Sequence, residues 1–254
     1  MVGKLIKHEL FSTVRTAAIP AAVMVLLAVL ARIMLETSSV SLALVIFIFY
    51  FFSVITTLLI GYFFGVHSFY QSLFTGNGYL TMSLPVTADQ LIWAKLISAL
   101  TVMFASIIVC LLSALIFFIG LPAEALEEID EGFMYLGDLL SEYAEGEALF
   151  IFEVVLLIII EIPMSFLLFY AIMCVGQLFT GKNRKGIAIA LYVGLIFGYS
   201  ILKQTAFDPI FQQIAWNVSI HLALWIRIIF YAGVAVGCYF LVRHIIKNKV
   251  NLLA

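Results

Sequence analysis

The chain has 254 residues, 65% of them apolar and only 11% charged, with a formal net charge of −2. Water-soluble domains carry about 45–50% apolar and about 25% charged residues. An ordinary soluble fold is therefore excluded, and lipid is the solvent for most of the chain.

In chain order, Lys4–Arg15 comes first. Leu5, Ile6, Leu10, Phe11 and Val14 can share one helical face, with Lys7, His8 and Arg15 nearer the other. This pattern predicts an amphipathic helix over residues 1–16, lying at the inner leaflet before the chain turns in at Pro20. No small-residue cleavage site marks the first apolar run, so no signal peptide is read there. A helix needs about 20 apolar residues to cross the hydrocarbon core. Six runs approach or exceed that length, at about residues 17–35, 41–65, 96–121, 149–177, 186–202 and 222–242. The expected fold is an all-α integral membrane protein with one transmembrane domain of six helices over residues 1–254.

The stretch 67–90, between spans two and three, has one formal charge, Asp89, and is too polar and broken to cross lipid. Thr75-Gly76-Asn77-Gly78 signals a turn, and Thr87-Ala88-Asp89-Gln90 is a capping-box pattern that starts the next helix. Exposed apolar and aromatic side chains here point to a protein interface. Residues 123–148 hold nine acids and no lysine or arginine, and are read as an acidic extracellular loop. Phe207, Pro209, Ile210, Phe211, Ile214 and Trp216 predict a re-entrant or interfacial segment between spans five and six. Gly61/Gly65, Gly194/Gly198 and Gly233/Gly237 are small-residue pairs at the spacing that brings helix backbones close.

Orientation follows from the basic residues. Lys4, Lys7, Arg15, Lys95, Lys182, Arg184, Lys185, Arg243, Lys247 and Lys249 fall on one side of the six-span topology; Arg32, Lys203 and Arg227 fall on the other. Both termini are thus expected in the cytoplasm.

Ionisable groups at membrane depth need partners or water, which makes each a candidate site. Arg32, Glu153 and Arg227 are placed at a similar depth near the external surface, where an ion pair joining their helices is expected. Glu161 lies about 18 Å from the start of span four, near mid-membrane, with Pro163 close by and no basic residue at its depth.

No GxxxxGK[ST] phosphate loop, HExxH or GxSxG is present. Neither a catalytic residue nor a metal ligand is identified, and the cysteines Cys110, Cys174 and Cys238 read as buried and inert. The chain is not expected to be an enzyme, to hold a cofactor or to bind nucleic acid.

Two blocks carry a family resemblance. Lys4-Leu5-Ile6-Lys7-x-Glu9-Leu10-x-x-Thr13-x-Arg15, and Gly78-Tyr79-Leu80-Thr81-x-x-Leu84-Pro85-Val86-Thr87 through Lys95, resemble the ABC-2 type permeases of Gram-positive bacteria. The resemblance implies a permease subunit in the bacterial plasma membrane, paired with a second permease subunit and a separate ABC ATPase that carries ATP and Mg. It implies that Ser68, Phe69, Tyr70, Gln71, Leu73 and Phe74 belong to a coupling helix seated in that ATPase. It further implies export, with peptides, drugs or lipids as cargo. The acidic insertion between spans three and four departs from the family, whose exporters more often elaborate the loop between spans five and six. An ion-coupled carrier using Glu161 and a membrane-embedded enzyme are the alternatives.

Overall fold

A computed structural model describes residues 18–34, 40–74, 87–119, 130–131, 134, 147–178, 184–217 and 219–248. The predicted interfacial helix over 1–16, the turn at Thr75–Gly78 and nearly all of the acidic loop lie outside the described residues. Among the described residues the chain is helical and contains no strand. It divides into two compact units, Met1–Glu128 and Ile129–Ala254.

The first unit contains α1 (Ala18–Met34), α2 (Val40–Phe74) and α3 (Ala88–Phe118). Thr87 starts α3 through the expected capping box: the Gln90 amide donates to Thr87 Oγ1 at 3.3 Å, and the Thr87 amide donates to Gln90 Oε1 at 3.2 Å. Met24 and Ala28 of α1 pack with Tyr50 and Val54 of α2 and Val109 and Cys110 of α3. Tyr50 hydrogen-bonds Ser113 at 3.0 Å, and Lys95 reaches back to Ser68, so α2 and α3 run antiparallel. Met24 meets Cys110 and Arg32 meets Ile119, so α1 runs parallel to α3.

The second unit contains α4 (Glu147–Gly176), α5 (Arg184–Leu202), a π-helical turn (Lys203–Phe207), α6 (Asp208–Asn217) and α7 (Ile220–Asn248). Leu157 and Met164 of α4 pack with Ile228 and Tyr231 of α7. Together with the pair Glu153–His221, these contacts make α4 and α7 parallel. The segment predicted as re-entrant continues α5 as helix, for Leu202 and Asp208 both keep right-handed helical angles. Pro209 explains the wide turn between them. In an unbroken α-helix its ring clashes with the carbonyl of Thr205, and the π register relieves this. The Asp208 amide donates to the Lys203 carbonyl, five residues back.

Four of the described helices, Val45–Leu73, Ala88–Ile116, Ala148–Gly176 and Ile220–Lys247, are long and apolar enough to cross a membrane. Ala18–Met34 is a shorter apolar helix. Around a mainly apolar core, large apolar side chains also cover the outer surface, and several polar groups are enclosed. Phe49, Phe51, Phe52, Leu111, Phe152 and Ile229 are exposed, while Thr57, Lys95, Ser98, Ser106, Ser113 and Glu153 are buried. Helix hydroxyls turn back on their own backbone even where they are exposed: Thr56 donates to Phe52 O and Thr101 to Ile97 O, both at 2.7 Å. In lipid no water competes for these groups, so a polar side chain finds its partner within the helix.

Of the three glycine pairs, Gly61 makes a close intramolecular approach. A Cβ there meets Ser106 Oγ at 3.0 Å, whereas Gly194, Gly198, Gly233 and Gly237 face open space. Gly61→Leu is expected to push α2 off α3 and cost about 1–3 kcal/mol, the usual range for overpacking. Thermal unfolding in detergent measures it, with Gly233→Leu as the neutral comparison; equal effects at both positions contradict the packing argument.

Candidate functional site

The buried and half-buried ionisable groups concentrate in the second unit. Glu153 is 0% exposed, and its Oε2 lies 2.6 Å from Nδ1 of His221. Its Oε1 has no hydrogen-bond partner among the described residues. Within this unit Glu153 pairs with His221 and not with Arg227, the partner its depth suggested. Because α4 and α7 are parallel, a histidine at the opening of α7 meets a residue in the opening turns of α4. Arg32 instead donates from Nε to the carbonyl of Ile119 at 2.7 Å. There a cation meets the free carbonyls that end α3.

Glu161 lies about 20 Å along α4 from Glu147 at about 1.5 Å per residue. It too has a partner that the sequence reading placed elsewhere. Lys203 Nζ is 3.4 Å from Glu161 Oε1, and the two side chains are 31% and 35% exposed. The ammonium reaches Glu161 because α5 extends helically through the π turn instead of ending in a loop after Leu202.

Arg227 stands in α7 nearby. Its Nε donates to the Tyr231 hydroxyl at 3.1 Å, and its guanidinium carbon lies 5.4 Å from the centre of that ring. Glu161 and Asp208 act on it electrostatically, and Tyr199 of α5 senses Tyr231, Glu161, Arg227 and Asp208. Phe207 and Phe230 stack beside them with centroids 4.6 Å apart. Two carboxylates, two cations and two phenols from α4, α5, the π turn, α6 and α7 thus form one polar cluster within an apolar unit. It is partly open, charge-balanced, and able to bind or relay a charged group. No group of three or more His, Cys, Asp or Glu side chains able to hold a metal exists among the described residues.

In the first unit, Ser68–Phe74 forms the last turns of α2 and is continuous with it, not a separate short helix. Phe69 and Leu73 are fully buried within this unit; Ser68 and Tyr70 are half-buried and Gln71 is exposed, while Phe74 closes the helix. Lys95, 2% exposed, donates from Nζ to Ser68 Oγ at 3.3 Å and to the Ser68 carbonyl at 3.4 Å. Lys95 thus holds the end of α2 against α3, and Tyr70 and Gln71 are the more exposed groups beside buried Phe69. A groove of about 820 Å³ between α1 and α3 is lined by alanine, valine and leucine side chains and Ser106. The Ser106 hydroxyl is committed to Val102 O, so the groove carries no chemistry of its own. Cys110, Cys174 and Cys238 are free thiols.

Four helices long and apolar enough to cross a membrane, with large apolar side chains on their outer surfaces, are the features of a helical, multi-pass membrane-like protein. No protein-family model matches the chain, and no curated protein or solved structure matches it either.

Proposed function

We propose that the chain is the membrane-spanning subunit of an ATP-driven exporter. It works as a pair of permease subunits with a separate ATPase in a bacterial plasma membrane. The observation that carries this reading is the length and bracing of α2. Its 35 residues extend about 52 Å at about 1.5 Å per residue, roughly 20 Å beyond a hydrocarbon core of about 30 Å. The overhanging end, Ser68–Phe74, is braced to α3 by buried Lys95. A rigid helical lever of this kind suits transmission of force from an ATPase. The resemblance of Gly78–Lys95 to ABC-2 permeases supports the same assignment, as does the lack of a nucleotide-binding motif in the sequence.

Six spans with cytoplasmic termini are part of this proposal. The up-down-up course of α1, α2 and α3 supports three crossings. The parallel pairing of α4 with α7 supports a return crossing between them, which we assign to α5. The acidic loop favours cationic cargo such as peptides by electrostatic attraction. An ion-coupled carrier is the second reading, favoured by the partly exposed Glu161–Lys203 pair.

Isolation of the tagged chain in mild detergent, with mass spectrometry and an ATPase assay, tests the proposal. Stoichiometric recovery of an ATPase subunit is expected, with recovery lost in the double variant Tyr70→Ala/Gln71→Ala. A chain recovered alone, transporting on a proton gradient without ATP, rejects the exporter and selects the carrier.

A further inference from the structure

We propose that Arg227 binds the anionic headgroup, phosphate or carboxylate, of an amphiphile whose tail lies along the apolar surface of α6 and α7. This inference goes beyond the exporter reading and stands whether or not an ATPase subunit is found.

A guanidinium has five N–H donors in a planar fork. In Arg227 the Nε hydrogen is committed to Tyr231, and the terminal amino groups make no hydrogen bond among the described residues. No carboxylate closes an ion pair with it there, although Glu161 and Asp208 are near enough to act on it. Unsatisfied donors on a half-buried cation in apolar surroundings are costly. Their arrangement suits two parallel hydrogen bonds to a phosphate or carboxylate.

Of the neighbouring acids, Glu161 is already served by Lys203. At Glu161 a cationic ligand has to displace Lys203, whereas an anion adds to the remaining donors of Arg227 without displacing anything. The surface around the cation is apolar: Ile210 of α6 and Trp225, Ile226 and Ile229 of α7 are all exposed. A charged head beside a greasy track selects an amphiphile over a free ion.

The test follows thermal unfolding of the full-length chain in detergent during titration with dihexanoyl-phosphatidylglycerol. Dihexanoyl-phosphatidylcholine and inorganic phosphate serve as separate arms. Saturable stabilisation by the phosphatidylglycerol alone is expected. Arg227→Gln is expected to weaken the apparent affinity about tenfold or more, the scale of losing a charge-assisted bidentate contact. Arg227→Lys keeps the charge and loses the fork, so it is expected to fall between the two and serves if the glutamine variant does not fold. Arg243→Gln, at the far end of α7, is expected to behave as wild type. Equal stabilisation by phosphatidylcholine overturns the anion requirement, and equal stabilisation by inorganic phosphate overturns the amphiphile. Unchanged affinity in Arg227→Gln or, where that variant does not fold, in Arg227→Lys overturns the site.

Discussion

His221→Leu is expected to be among the most destabilising single substitutions in this chain, at about 3–5 kcal/mol, the cost of removing one partner of a buried polar pair. Glu153 is fully enclosed, and one of its oxygens already lacks a hydrogen bond among the described residues. Without His221, the second oxygen loses its contact at 2.6 Å, and the carboxyl group is stranded between α4 and α7. Glu153→Leu is expected to cost less, because His221 is only half-buried and has other interactions. The double variant Glu153→Leu/His221→Leu is expected to recover most of the loss, since an apolar pair of similar volume is often as stable as a buried polar one. Unfolding of the four proteins in detergent completes a double-mutant cycle. Simple additivity, with the double variant as unstable as the sum of the singles, contradicts the pairing.

Lys95→Met is expected to have the largest functional effect. Methionine fills the space of the lysine stem but gives up the donations to Ser68 Oγ and to the Ser68 carbonyl near the end of α2. Hydrogen bonds from a charged donor contribute about 1.5–3 kcal/mol each way of counting, and that much stability is expected to be lost from the first unit. The overhang of α2 is then less firmly tied to α3. Under the exporter proposal the ATPase subunit still binds and hydrolyses ATP, but transport falls about tenfold for every 1.4 kcal/mol of lost coupling. Reconstituted vesicles, scored for hydrolysis and export in parallel, make the measurement. If hydrolysis and export keep their wild-type ratio, Lys95 is a packing residue and the lever idea fails.

These two sites differ in how far the sequence revealed them. Ser68 stands inside the stretch singled out for its turn and capping signals and Lys95 just beyond it, and the capping box at Thr87 formed as its spacing predicts. Such features are local: a hydroxyl and an amide three residues apart meet whenever the chain begins a helix. The apolar runs likewise dictated long helices with apolar exteriors, because composition alone decides which solvent a segment tolerates. The partners of the intramembrane charges were not legible in the same way. Depth along each helix can be counted, and it grouped Arg32, Glu153 and Arg227. Contact also requires the azimuth of each side chain and the register between helices. Those are set by packing such as that of Leu157 and Met164 with Ile228 and Tyr231, and they gave Glu153 to His221 and Glu161 to Lys203.

The glycine pairs show the same division. All three share one spacing, and the helix period places each pair on one face. Spacing fixes a face but not its neighbour, so only the tertiary structure distinguishes Gly61, pressed against Ser106, from the open glycines of α5 and α7. The amino-acid sequence by itself thus determined the long apolar helices and the cap that starts α3. The tertiary structure decided which charges meet, because side chains 42 and 68 residues apart in sequence become neighbours only through the way helices pack.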